Sequence, residues 1–290
     1  MTPVLNEPLS QLSLLFVSAS MGFLALALMV FSFELAQLVK TEGATKVITK
    51  GERVGFILLW VATIILGTGV VLRGIAAGRV PWANMYEFAI STAFLMLLIY
   101  LTAMSIKDLK FIATFISGFA LVILFASVSL FYVEVKTLMP ALQSYWLVIH
   151  VVVAVLATGF FSIAAGLHIA YLVKAGNLAK RLMNVFPTLE QLERLAYRFN
   201  VVGFVLWSFT LIAGAIWAER AWHRYWGWDT KEVWTFIIWV LYAGYLHAMA
   251  TRGWSGKRAA WLGLIAFLSV IFNFTIVNLF FKGLHVYSGL

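Results

Sequence analysis

Five histidines, His150, His168, His223, His247 and His285, carry the metal-binding potential of a sequence that has no cysteine. Without thiols the chain has no disulfide, no thiolate metal site, no Cys nucleophile and no C-x-x-C-H haem attachment segment of its own, so any thiol chemistry comes from a partner or a substrate. Neutral imidazole is the commonest protein metal ligand, and it suits haem iron. His150 and His168 are separated by 18 positions. On a helix that is five turns, which puts both on one face about 27 Å apart along the axis. His150 and His285 fall near one end of the apolar runs that contain or precede them, and His168 and His247 near the other. Two histidine pairs at two depths imply two haem positions. The competing reading of each is an imidazole hydrogen-bonded to a neighbouring helix, and for His168 both stand.

The second concentration of chemistry is residues 217–234, WAERAWHRYWGWDTKEVW. Trp217, Trp222, Trp226, Trp228 and Trp234 place five of the chain's 12 tryptophans in this one stretch. Tryptophan belts mark membrane interfaces, but a belt does not need this density in a single loop. Rigid indoles can form a platform for a flat apolar ligand, and Arg220, Arg224 and Lys231 can pair with that ligand's carboxylates. A porphyrin, with apolar faces and two propionates, has this shape. Asp229 and Glu232 invite a catalytic reading, yet their Asp-x-x-Glu spacing just before an apolar run is that of a capping box. Both acids also suit the positive end of a helix dipole, so their main expected role is to fix the loop.

These residues need elements to hold them, and the composition says which. Hydrophobic residues make up 63% of the 290 and charged residues 11%, with mean hydropathy +0.95. Too few polar groups are available to face water, so the chain is an integral membrane protein. A soluble enzyme, a disordered protein and a disulfide scaffold are excluded. Eight apolar runs are long enough to cross a bilayer, near 10–36, 54–76, 86–106, 111–132, 144–173, 199–219, 233–251 and 259–281. Open sheets cannot span lipid, so these are helices and the fold is an all-α polytopic bundle, one integral membrane domain over 1–290. The net charge of +9 reflects loop lysines and arginines rather than nucleic-acid binding.

The basic residues divide by loop. Lys40–Arg53, Lys107–Lys110, Lys174–Arg198 and Arg252–Arg258 hold 14 of the 21. The remaining 7 are Arg73, Arg79, Lys136, Arg220, Arg224, Lys231 and Lys282. The positive-inside rule puts the first set in the cytoplasm and both termini outside. Positive charge on the outer side runs against that rule, so Arg73 and Lys282 either snorkel beside helices or meet something anionic. Residues 174–198 read as a cytoplasmic amphipathic segment. Leu182, Val185, Leu189, Leu192, Leu195 and Phe199 recur at helical spacing, Pro187 breaks the run, and Thr188-x-x-Gln191 reads as a capping box, which predicts a short helix on the membrane surface. Met1 to Leu9 carries no basic region ahead of the first apolar run, which argues against a cleaved signal peptide.

The run Trp222 to Trp234, with Trp226-Gly227-Trp228-Asp229 and Lys231-Glu232, closely resembles the WWD domain of the haem-handling proteins of cytochrome c biogenesis. The best match is the CcsA/ResC branch of the System II cytochrome c synthase. Pro81, Asn84, Tyr86 and Glu87 resemble that branch's P-x-x-N-x-Y-E segment. Leu142-Gln143-Ser144-Tyr145-Trp146 leading to His150 is similar to its first outer histidine region. Gly283-Leu284-His285 with Tyr287-Ser288-Gly289 resembles its second, and Tyr245-Leu246-His247 its intramembrane histidine. The likeness runs from about residue 70 to the end. Two positions depart from the pattern: His223 stands where Gly is common, and Thr230 where Pro is common.

The resemblance implies delivery of haem b to the outer face of a cell membrane, or a thylakoid membrane, and its covalent attachment to an apocytochrome c. In that family haem passes an intramembrane site and then sits at the WWD platform between two outer histidines, where its vinyl groups meet the thiols of a C-x-x-C-H segment. Carried over, His150 and His285 are the outer iron ligands and His247 an inner one. Trp222, Trp226, Trp228 and Asp229 form the reaction platform, with Trp217, Trp234, Arg73, Arg220, Arg224 and Lys231 around the porphyrin. A CcsB/ResB-like membrane protein is the implied partner, and thiol-reducing proteins act on the substrate. The second inner ligand comes from that partner or from His168. Positioning can replace much acid–base catalysis when reactants are aligned, and the absence of a resident thiol leaves the vinyls to the client. Three rival readings remain: a di-haem b-type transmembrane electron carrier, a haem exporter without chemistry, and a structural subunit whose tryptophans form an interface belt.

Overall fold

The computed structural model describes residues 6–40, 49–136, 143–176, 186–251, 254–281 and 283–284. His285, Lys282, Leu182 and Val185 lie outside them. The described residues form helices joined by short turns, and eight of these helices are long and apolar enough to cross a membrane. They are α1 (Glu7–Lys40), α2 (Lys50–Ala77), α3 (Met85–Met104), α4 (Ala113–Leu130, entered through a 3₁₀ turn at Lys110–Ile112), α5 (Tyr145–Ala175), α6 (Leu189–Trp222), α7 (Thr230–Ala250) and α8 (Lys257–Phe272). α8 passes through a π-helical turn, Asn273–Val277, into a last helical turn, Asn278–Phe280.

Local sequence explains where the helices start. Thr49 accepts from the Glu52 N–H at 3.0 Å, Asn84 from Glu87 at 2.9 Å, and Ser144 from Trp146 at 3.3 Å, so each polar side chain satisfies an amide the first turn leaves unbonded. The two predicted capping boxes, Thr188 with Gln191 and Asp229 with Glu232, both form. Hydropathy locates all eight spans to within a few residues except at the start of α6. From Leu189 on, the segment expected as a separate surface helix is the beginning of α6, which runs unbroken for 34 residues. At about 51 Å that helix exceeds a hydrocarbon core of about 30 Å, so its charged first turns need no helix of their own.

α5 is the most buried helix; it packs on α3, α6 and α8, while α1 pairs with α2 and α4. Small residues on α5, among them Ala157, Gly159, Ala165 and Gly166, permit this close approach where the hydrophobic effect supplies little drive. The helices alternate in direction, so one end of the bundle gathers the start of α1, the end of α2, the start of α3, the start of α5, the end of α6 and the start of α7. There the Arg73 guanidinium donates to Glu87 at 3.0 Å, to the Ser10 hydroxyl at 3.0 Å and to the Val133 carbonyl at 2.8 Å. The Arg73 ring neighbours Tyr86 and Tyr132 complete the enclosure. The expectation that Arg73 snorkels or holds an outside anion is therefore corrected. It is 0% exposed, and its donors serve a network internal to the fold.

Candidate functional site

The same end of the bundle holds a cavity bounded by α3 to α8, with about 1480 Å³ of space free of protein atoms, part of it continuous with the surroundings. Its walls are mainly apolar. They include Trp82, His150, Trp217, Trp226, Lys231 and Glu232, and they reach Ser162 on α5. From His150 to Ser162 is about 18 Å along the helix, so the cavity enters the membrane interior.

His150 is fixed on three sides. Its Nδ1 lies 2.9 Å from the Thr210 carbonyl oxygen, which can only accept, so Nδ1 carries a proton and, in the neutral ring, Nε2 carries the lone pair. Trp217 stacks on the ring at 6.1 Å between centroids and 19° between planes. A Cβ on Gly214 would stand 2.8 Å from the ring's Cε1, which makes the bare glycine backbone the third wall. A histidine whose other nitrogen donates to a backbone carbonyl is the usual arrangement of a metal-ligating imidazole, because the bond fixes both tautomer and orientation.

The tryptophans do not make one flat surface. Trp217 is 1% exposed and lies in the cavity wall with Trp226. Trp222 crosses Trp217 at 64°, Trp226 crosses Trp228 at 89°, and Trp234 packs against Phe272 on α8 at 4.4 Å. Trp228 is 76% exposed and adopts φ 59°, a left-handed conformation that bulky residues rarely take. Strain of this kind persists where surrounding structure over-determines it and collects at functional sites. The turn is held by both acids. Glu232 accepts from the Gly227 N–H at 2.7 Å and the Asp229 N–H at 3.1 Å, and Asp229 accepts from Lys231 at 2.9 Å. Asp229 also accepts from the Leu284 N–H at 2.8 Å, which ties the start of α7 to the chain leaving α8.

The basic residues spread apart. Lys231 donates to the Asn273 carbonyl at 2.8 Å, in the π turn of α8, and to the Asn278 amide oxygen at 2.9 Å, just beyond it. Arg220 is exposed with its guanidinium over Tyr145 at 5.5 Å, and Arg224 lies across Gly227. The π turn explains the bond to Asn273, since an i→i+5 turn leaves backbone carbonyls open to a side-chain donor.

The inner histidines do not face each other. His168 is buried, and its Nε2 accepts from the Asn200 amide at 3.0 Å. Tyr245 meets the His168 ring edge-on at 5.4 Å, whereas His247, two positions further round α7, is exposed. Two residues on a helix subtend about 200°, so His247 is directed away from His168.

His223 shows why Gly is common at its position. It caps α6 in the left-handed region, φ 55° and ψ 35°, where glycine carries no Cβ penalty. His223→Gly is expected to stabilise the protein by about 1 kcal/mol. The gain will show as a higher unfolding midpoint of the detergent-purified protein, with haem retention unchanged.

Sequence reasoning missed Trp82, Thr210, Gly214 and Asn273. Gly214 alone left a signal, a glycine amid a strongly apolar helix that marks close approach.

A family model described as cytochrome c assembly protein matches residues 82–285. The chain is 37% identical over 252 residues to the cytochrome c biogenesis protein CcsA of Guillardia theta, covering 79% of this chain and 82% of that one. It is 32% identical to CcsA of Prochlorococcus marinus (strain MIT 9313), covering 93% of each. Among solved structures, the cytochrome c haem lyase CcmF matches with a TM-score of 0.68 over 94% of this chain at 18% identity. This chain spans 47% of the length of that structure, and the likeness is one of fold.

Proposed function

This chain belongs to the cytochrome c assembly protein family, and we propose that it is the CcsA-type subunit of a synthase that presents haem b at the outer face of a membrane and joins it to the C-x-x-C-H segment of an apocytochrome c. The observation that carries this reading is the His150–Thr210 bond. It puts the proton of the neutral imidazole on Nδ1 and leaves Nε2 as the ligating nitrogen, on a side chain that lines an apolar cavity walled by Trp217 and Trp226.

Haem is the substrate here. His150 supplies one axial ligand and His285 the other. Asp229 of the Trp-rich loop holds Leu284, the residue before His285, as well as capping α7. Trp217 stacks on His150 and resists its rotation, while Trp226 bounds the porphyrin space. Trp228, strained and exposed, stands where the client polypeptide arrives. Arg220 and Arg224 remain available to the propionates at the rim. The charge division between loops supports an outer position for this end, in a cell membrane or a thylakoid membrane. Thiol-reducing proteins keep the client cysteines as thiols.

At the inner depth, a partner of the CcsB/ResB type supplies the ligand opposite His247. The exposure of His247 supports this. His168, enclosed and bonded to Asn200, is assigned a packing role. The same arrangement counts against a di-haem electron carrier built within this chain, which needs His168 and His247 to converge.

The test is the visible spectrum of the protein purified with its partner. The wild type is expected to show a Soret band that falls by roughly half in His150→Ala, and reduced haem with a C-x-x-C-H peptide is expected to yield a thioether product. A colourless wild type, or a spectrum that His150→Ala leaves unaltered, overturns the reading.

A further inference from the structure

Glu232 completes its cap with a single oxygen. Oε2 accepts both the Gly227 and the Asp229 amides. Oε1 is buried and has no hydrogen-bond partner among the described residues. The side chain is 7% exposed and lines the same cavity as His150 and Trp226. Across that cavity wall, Asn273, 5% exposed, has its Oδ1 in the same condition. A buried polar atom left unbonded costs roughly 1–3 kcal/mol, and such atoms in a native fold call for an explanation. A helix cap does not supply it, because the cap is already satisfied.

Both atoms are acceptors. An ionised propionate is also acceptor-only, so it gains nothing at this wall. A thiol is a donor. The wall therefore suits the edge of the porphyrin that reacts and the thiols that approach it. Lys231, beside Glu232 in sequence, commits two of its N–H groups to Asn273 in the π turn and Asn278 just after it.

We propose that Glu232 is a catalytic acid–base residue for thioether formation, taking the proton from a client cysteine thiol through Oε1 and giving it to the vinyl group. This rests on the synthase reading above. The S–H bond breaks and its proton passes to the carboxylate. The sulfur's electron pair forms the bond to the vinyl carbon attached to the ring, the vinyl π bond breaks, and the proton returns from the carboxyl to the terminal vinyl carbon. The net change is addition of S–H across C=C, and no oxidant or reductant is consumed. The step occurs twice per haem, and Glu232 ends each cycle as it began.

The test uses the complex with its partner, loaded with reduced haem and given a C-x-x-C-H peptide. Glu232→Gln keeps an acceptor for the two amides and removes the base. It is expected to retain the wild-type Soret band while the rate of thioether formation, followed by the pyridine haemochrome spectrum, falls at least about 100-fold. Glu232→Asp, which keeps the carboxylate, is expected to recover at least about tenfold of that loss. Attachment by Glu232→Gln at the wild-type rate overturns the proposal. So does loss of its Soret band, which assigns Glu232 to the cap alone, and so does an Asp variant as slow as the Gln variant. A wild-type complex that holds haem yet forms no thioether overturns the synthase reading instead.

Discussion

Glu87→Ala is expected to destabilise the protein by about 3–5 kcal/mol, the usual cost of removing one partner from a buried ion pair. Its carboxylate is 0% exposed and lies between two guanidinium groups, with Arg73 at 3.0 Å and Arg79 at 2.6 Å. Arg73 is itself 0% exposed, so the loss of the carboxylate leaves a buried cation without its counter-charge. The same carboxylate accepts the Ala83 N–H at 2.9 Å, one residue from Trp82 in the cavity wall. The P-x-x-N-x-Y-E resemblance thus acquires a physical content. Asn84 starts α3, Glu87 closes the ion network, and both hold the Trp82 loop against the ligand space. Denaturation of the detergent-purified protein, followed by helical circular dichroism, measures the loss. Glu87→Gln is expected to fall between wild type and alanine, because an amide keeps hydrogen bonds but leaves two positive charges uncompensated. An alanine variant as stable as wild type removes the network from the stability of the fold.

Gly214→Ala, the addition of one methyl group, is expected to weaken haem binding by about 10–100-fold, the scale on which disturbed support of a metal-ligating histidine acts. The new Cβ would stand 2.8 Å from Cε1 and 2.9 Å from Nδ1 of His150, closer than real Cβ contacts allow. The ring cannot yield without lengthening its 2.9 Å bond to Thr210 or leaving Trp217. The helix itself gains from alanine by about 1 kcal/mol, so a folding defect does not explain a loss of haem. Titration of the purified apoprotein with haem, read at the Soret band beside an unfolding curve, separates the two. Unchanged affinity in Gly214→Ala shows that His150 is not the ligand.

The spans were legible because a bilayer demands about 20 apolar residues per crossing, and the two capping boxes because their spacing is local. His150 and the Trp-rich loop were legible by residue type and by resemblance. What sequence concealed was geometry between distant positions. The Thr210 carbonyl has no side-chain signature, since any residue has a carbonyl. Arg73 carried the charge expected of a ligand contact, yet Glu87, 14 positions on, claims it. Hydropathy starts α6 late, at residue 199, because it weighs apolarity and the first three turns carry charges; backbone hydrogen bonding runs through them. The tryptophan count predicted a platform, but indoles at 64° and 89° to one another make walls rather than a floor.

The π turn at Asn273–Val277 has a further consequence for the chain beyond it. Relative to an α-helix such a turn holds one surplus residue, and each residue of an α-helix advances the azimuth by about 100°. The surplus therefore sets the phase of everything downstream. With it, Asn278 faces Lys231 and Leu284 meets Asp229. Were the helix regular, both would be rotated by more than a quarter turn, away from these partners. The irregularity acts as a phase shifter. A feature that costs helical hydrogen bonding decides which groups Asn278 and Leu284 meet.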